Sequence, residues 1–146
     1  MNEKTDIEKI IKEGSSVQIS PQGFSMYPLL FPGRDEVIIE PVSPDKVKRF
    51  DVILYRRKKE GILVLHRVCR HKKEGFYMVG DNQSKIEGPL DASQIIGKMV
   101  HIKRAGKDVS IKNPIYIIYS RMWLFLRPVR PLISKLVHAM HPYTDR

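Results

Sequence analysis

Between residues 16 and 111 the chain is a succession of short apolar runs bounded by turns, and this pattern most limits what it can fold into. Ser16-Val17-Gln18-Ile19 alternates, while Val37-Ile38-Ile39, Val52-Ile53-Leu54-Tyr55 and Ile62-Leu63-Val64-Leu65 are short apolar runs. The charged stretch from Arg56 to Gly61 reads as the solvated turn of a hairpin joining the last two. Phe76-Tyr77-Met78-Val79 pairs with the run that carries His66 through a turn from Lys72 to Gly75. Val100 to Lys103 and Val109 to Ile111 read as a final hairpin around Ala105-Gly106-Lys107-Asp108. Many short strands punctuated by Gly and Pro point to a mainly β fold, a coiled barrel or sandwich.

Both ends read as helical. Thr5-Asp6-Ile7-Glu8 is a capping box that opens a short helix, with Ile7, Ile10 and Ile11 as its apolar stripe and Gly14 as its stop. Near the other end Asn113-Pro114 supplies an N-cap followed by proline in the first turn. The stretch from Ile115 to Leu126 is strongly apolar and carries Tyr116, Tyr119, Trp123 and Phe125, and Pro128 ends it. A second helix begins near Pro131, with Leu132, Ile133, Leu136, Val137 and Met140 on one face. Arg121, Arg127, Arg130, Lys135 and Arg146 stand there against Asp145 alone. A spanning helix needs about 20 mostly apolar residues, and the charges and prolines make this stretch a poor span. Cationic amphipathic helices suit an anionic membrane surface, or pack on the β domain or on a second subunit of a homo-oligomer. The organisation read here is a β domain with its N-terminal helix over residues 1–112 and a cationic helical tail over 113–146, with a peripheral membrane or cytoplasmic location and no signal peptide.

The chain has 146 residues, 42% of them hydrophobic, which is enough for one core. Its formal net charge of +10 calls for an anionic partner surface, and phospholipid and nucleic acid both qualify. The single cysteine, Cys69, excludes an internal disulfide and has no second thiol for a metal site, and it reads as a small apolar residue on the His66 strand. No cofactor or metal is expected.

Three short clusters carry chemistry. Ser25 lies in Gly23-Phe24-Ser25-Met26-Tyr27-Pro28, His66 in Leu65-His66-Arg67-Val68, and Asp81 in Gly80-Asp81-Asn82. Each alone is ordinary: a turn serine, a strand histidine, a tight turn. Together and in this order they are a candidate nucleophile, a candidate base and a candidate carboxylate. A serine hydroxyl needs a neighbour to take its proton, histidine titrates close enough to neutrality to do so, and a carboxylate fixes the imidazole tautomer.

With these motifs the chain resembles the type I signal peptidases, in particular the branch with His-Arg-Val at the base position found in archaeal, sporulation-type and endoplasmic-reticulum enzymes. The resemblance runs from about Val17 to about Ile102 and takes in Arg34 to Ile38, Phe50 to Tyr55 and Ile95 to Lys98. It implies a coiled β-barrel fold, Ser25 as nucleophile and His66 as general base. In that branch an acidic residue follows soon after the Gly-Asp-Asn aspartate, and the matching position here is Glu87; Asp81 and Asp91 are the other candidates. Where the family often has a serine that supports the oxyanion, this chain has Gly23, so that duty falls to backbone amides, chiefly that of Ser25. Glu87, between Ile86 and Gly88-Pro89, is expected on a rigid turn that either aims its carboxylate inward or holds it in solvent. Glu87, or failing that Asp91, is expected to orient His66, and Asp81 to hold its loop together. With neutral His66 as base, activity should rise through roughly pH 6 to 7.5.

The leading reading is a serine endopeptidase of signal-peptidase type that cuts an exported or ribosomally made precursor or signal peptide. Second is a peptide-binding module on the same fold with a decayed site. A nucleic-acid-binding regulator comes last, because no helix-turn-helix pattern precedes Ser25.

Overall fold

A computed structural model describes residues 3–140. The protein is mainly β, with eight strands in one antiparallel sheet and three short helices among the described residues. In chain order these are α1 (Glu3–Lys12), β1 (Val17–Ile19), β2 (Asp35–Pro41), β3 (Val52–Arg56), β4 (Leu63–Lys72), β5 (Gly75–Val79), β6 (Glu87–Leu90), β7 (Ile95–Arg104), β8 (Lys107–Ser110), α2 (Pro114–Phe125) and α3 (Arg130–Met140).

The strands run β1-β2-β7-β3-β4-β5-β6 across the sheet, and β8 pairs with β7 off this path. The long β7 is the hub: its first residues pair with β3, its middle and end with β2, and its last turn of ladder with β8. β3 and β4 form a hairpin that sets Ile53 opposite His66 and Tyr55 opposite Val64. The mainly β expectation holds, but the described strands form an open sheet and not a closed barrel. β1, only three residues long, pairs with β2 alone, and β6 pairs with β5 alone. The ladder between β4 and β5 begins at Arg67, so Leu63 to His66 pair only with β3.

Two local expectations need correction. Glu87 opens strand β6 opposite Met78, where a turn was expected. Glu-Gly-Pro-Leu has no β-branched residue and holds both strand breakers, so its pattern hides the strand. At the other end α1 is already helical at Glu3, ahead of the capping box. Its C-terminus behaves as read, with Gly14 at φ 98° receiving the chain as it leaves the helix. The side chains of Thr5, Ile133 and Val137, and the residues Asp145 and Arg146, lie outside the described residues.

The apolar pattern is spent on both faces of β3. Val52 and Leu54 join Ile39, Met99 and Ile102 in one cluster, and Ile53 and Tyr55 join Val68, Phe76 and Met78 in another. The Asn113 side chain accepts the Ile115 amide at 2.9 Å and starts α2 as expected. α2 buries Tyr116, Trp123 and Leu124 against the sheet while Ile115, Ile118, Met122 and Phe125 stay exposed. Cys69 is buried with Val79 and Leu124, as a small apolar residue should be.

Candidate active site

Alternation along β3 places Ile53 and Tyr55 on one face, and the register puts His66 on that face, diagonal to Tyr55. The Tyr55 hydroxyl lies 3.1 Å from His66 Nδ1 and donates at 2.9 Å to Glu87 Oε2. Arg57 closes the chain of contacts with a fork to the same carboxylate, Nε to Oε1 and Nη2 to Oε2, each 2.9 Å. Glu87 therefore reaches His66 through a tyrosine and not by direct contact.

This chain of contacts determines the tautomer. Burial works to raise the Glu87 carboxyl, but hydrogen bonds from Arg57 and Tyr55 outweigh it and hold the group below the usual glutamate range. An ionised carboxylate only accepts, so the single hydroxyl proton of Tyr55 points to Glu87. Burial, then the Glu87 charge, raises the Tyr55 pKa and keeps that proton in place. Tyr55 Oη is then left to accept from His66 Nδ1–H, and Nε2 keeps its lone pair. His66 is only 3% exposed. Burial pushes its pKa down to about 4 against the opposing pull of Glu87. At neutral pH it is an uncharged imidazole poised to accept a proton at Nε2.

Ser25 and His66 line one cleft of about 820 Å³, whose walls include β1, Gly23, Met26, Leu63 and Leu65. This is the size of cleft that takes small ligands or short peptide segments. Among the described residues Ser25 Oγ makes no hydrogen bond, so the pair shares a cleft without a hydrogen bond between them; apo sites often tighten only around substrate. Asp35 braces the loop that carries Ser25: it accepts the Phe31 amide at 2.8 Å and Arg104 Nε at 2.6 Å, while Arg104 Nη2 also holds the Leu29 carbonyl at 2.7 Å.

Arg67 follows His66 and so faces the opposite side of β4. There it forms a fully buried bidentate pair with Asp81, at 2.8 Å for each bond. Tyr119 donates to the same carboxylate at 3.0 Å, and Trp123 Nε1 and Arg130 Nη1 donate to the Asp81 carbonyl at 2.7 and 3.0 Å. Asp81 is thus a knot between β4, its own loop and both C-terminal helices. The next residue touches the backbone of Ser25: Asn82 N donates to the Ser25 carbonyl at 2.8 Å. Glycine is required beside it, because a Cβ on Gly80 would lie 2.6 Å from the Ser25 oxygen. Asp91 sits apart, with its carboxylate on Lys58 and its amide bonded to Gln94. Among the described residues no group of three or more His, Cys, Asp and Glu side chains is arranged to hold a metal ion.

Comparison with protein-family models, with curated proteins and with solved structures finds no match. Sequence reasoning missed Tyr55 and Arg57. The run from Arg56 to Gly61 does form the hairpin turn, but Arg57 is the cation that anchors Glu87. The available signal was the period of two through Ile53, Tyr55 and Arg57, readable only once Ile53 is known to face His66.

Proposed function

We propose that the protein is a serine endopeptidase of signal-peptidase type acting on a precursor or signal peptide. One observation carries the reading: a serine and a buried, neutral histidine line one cleft, and the histidine's remote nitrogen is engaged by a Tyr55–Glu87–Arg57 chain. In this reading His66 Nε2 takes the Ser25 hydroxyl proton as Oγ attacks the scissile carbonyl. The imidazolium returns that proton to the leaving amine, and a water then repeats the sequence in reverse to free the acyl group. Backbone amides near Ser25 serve the oxyanion, since Gly23 brings no side-chain donor.

The strand edges support a peptide substrate. Among the described residues β1 and the Leu63 to His66 part of β4 each keep one edge without a strand partner, and both border the cleft. An extended peptide fits such edges by adding a strand, with side chains entering the apolar lining alternately. The test is incubation of the protein with candidate precursor peptides, with products read by mass. Cleavage by the wild type and none by Ser25→Ala supports the proposal; equal peptide binding by both with no cleavage by either favours a binding module and overturns it.

A further inference from the structure

The C-terminal helices carry a surface that the peptide cleft does not use. Ile115, Ile118, Met122 and Phe125 of α2 are exposed, Phe125 by 83%. Val129, just ahead of α3, and Leu132, Leu136 and Met140 of α3 continue the exposure. A soluble surface rarely leaves so many large apolar side chains together without a partner. Beside them α2 borders a cavity of about 160 Å³ whose polar lining is Lys48, Arg49, Lys98, Arg121 and Ser120, with one acid, Asp51. Lys98 is taken by Asp51 at 3.4 Å. Lys48, Arg49 and Arg121 form no ion pair among the described residues. The Arg49 and Arg121 guanidiniums lie 4.9 and 5.2 Å from the one Phe50 ring, which holds both at the cavity. Phe50 itself has φ 80°, a costly backbone for a phenylalanine, and such conformations gather at ligand sites. Ser120 Oγ is buried there without a hydrogen-bond partner, and buried hydroxyls ordinarily have one.

We propose that α2 and α3 seat the protein in the surface of an anionic phospholipid bilayer, with a lipid phosphate in the cavity between Arg49, Arg121 and Ser120. The apolar side chains enter the acyl boundary and the cations meet the headgroups, a division of labour typical of interfacial helices. The cavity, of about 160 Å³, is large enough to admit a phosphate group. Charge selects the bilayer over a second copy of the chain. From Val109 to Thr144 the sequence has no Asp or Glu, so self-pairing of the two helices would bring Arg121 and Lys135 against like charges with no acid on either helix. None of the described helices is long and apolar enough to cross the membrane, so the contact is with one surface.

The proposal is independent of the peptidase reading, and the test uses Ser25→Ala alongside the wild type. Both are sedimented with vesicles of pure phosphatidylcholine and of phosphatidylcholine with about 30% phosphatidylglycerol. Both proteins should pellet with the anionic vesicles, less so as salt rises, and at least about tenfold more weakly with neutral ones. Phe125→Glu with Leu132→Glu should abolish binding to either. Arg49→Glu and Arg121→Glu should remove the preference for anionic lipid, and if Arg121→Glu lowers the melting temperature, Arg49→Glu carries that arm alone. Failure to pellet with anionic vesicles, or equal pelleting with both kinds, overturns the proposal. A dimer in solution that Phe125→Glu dissociates, in a protein that ignores vesicles, assigns the face to a second copy instead.

Discussion

The hydroxyl of Tyr55 occupies the position beside His66 Nδ1, at 3.1 Å, that a carboxylate holds in a Ser-His-Asp triad. A carboxylate in contact would favour the imidazolium and raise the histidine pKa. With a neutral phenol interposed, Glu87 acts from a distance and burial prevails, so His66 falls to about 4.

The first consequence is kinetic. In kcat/KM against pH the acid limb should lie near pH 4 to 5, well below the pH 6 to 7.5 rise expected for an ordinary histidine. Activity should already be flat at pH 6.5. A limb centred above about pH 6 would mean that the active histidine titrates in water and not in this buried setting.

Tyr55→Phe removes one oxygen and leaves His66 Nδ1–H buried without an acceptor. Turnover should drop at least about tenfold with KM little changed, because the tautomer is no longer held, and the fold should lose about 1–3 kcal/mol for the orphaned donor. Glu87→Gln keeps an acceptor for Tyr55 but gives up the charge that Arg57 grips, so its loss of turnover should be smaller. Steady-state kinetics on the pair decide this; an inert Tyr55→Phe would detach the whole Glu87 arm from the mechanism.

His66 also makes the fold acid-sensitive. Its pKa is 6.5 when unfolded and about 4 when folded, so between those values the unfolded chain holds a proton that the native protein lacks. Stability from this group is intact above pH 6.5 and falls as pH drops toward 4, by roughly 3 kcal/mol in total. Denaturant titrations of wild type and His66→Ala at pH 7 and pH 4.5 isolate it, since the other acids titrate in both. The gap between the two proteins should change by about 2–3 kcal/mol across that interval.

Asp81 and Arg67 form a fully buried pair, and removing one partner strands the other. Asp81→Asn or Arg67→Met alone should cost about 3–5 kcal/mol in unfolding free energy, while replacing both with apolar residues should recover part of that. Melting curves of the singles and the double test it; additive losses would mean that the two charges do not depend on each other.

Much of this architecture could be read in advance, for physical reasons that differ by element. β3, β4 and β5 have short apolar runs bounded by turns, the pattern of strands, and Ser25 and His66, which line one cleft, could be singled out because their motifs are local. Tyr55 and Arg57 were not, because their role depends on a cross-strand register that sequence leaves open. β6 was hidden by Gly88 and Pro89. Arg130 looked like a surface charge on a cationic tail. It is buried instead, with the Gly80 and Asp81 carbonyls as acceptors, and only the folded chain brings those within its reach.

α2 presents Tyr119 and Trp123 to Asp81 on one side and Met122 and Phe125 to the outside on the other. Whatever those outer residues rest on is therefore gauged against the Ser25 cleft by a single stiff rod, with no linker to blur the offset. Under the peptidase and bilayer proposals together, such a helix would work as a spacer that sets how far from the membrane a substrate must extend before its backbone can lie along β1.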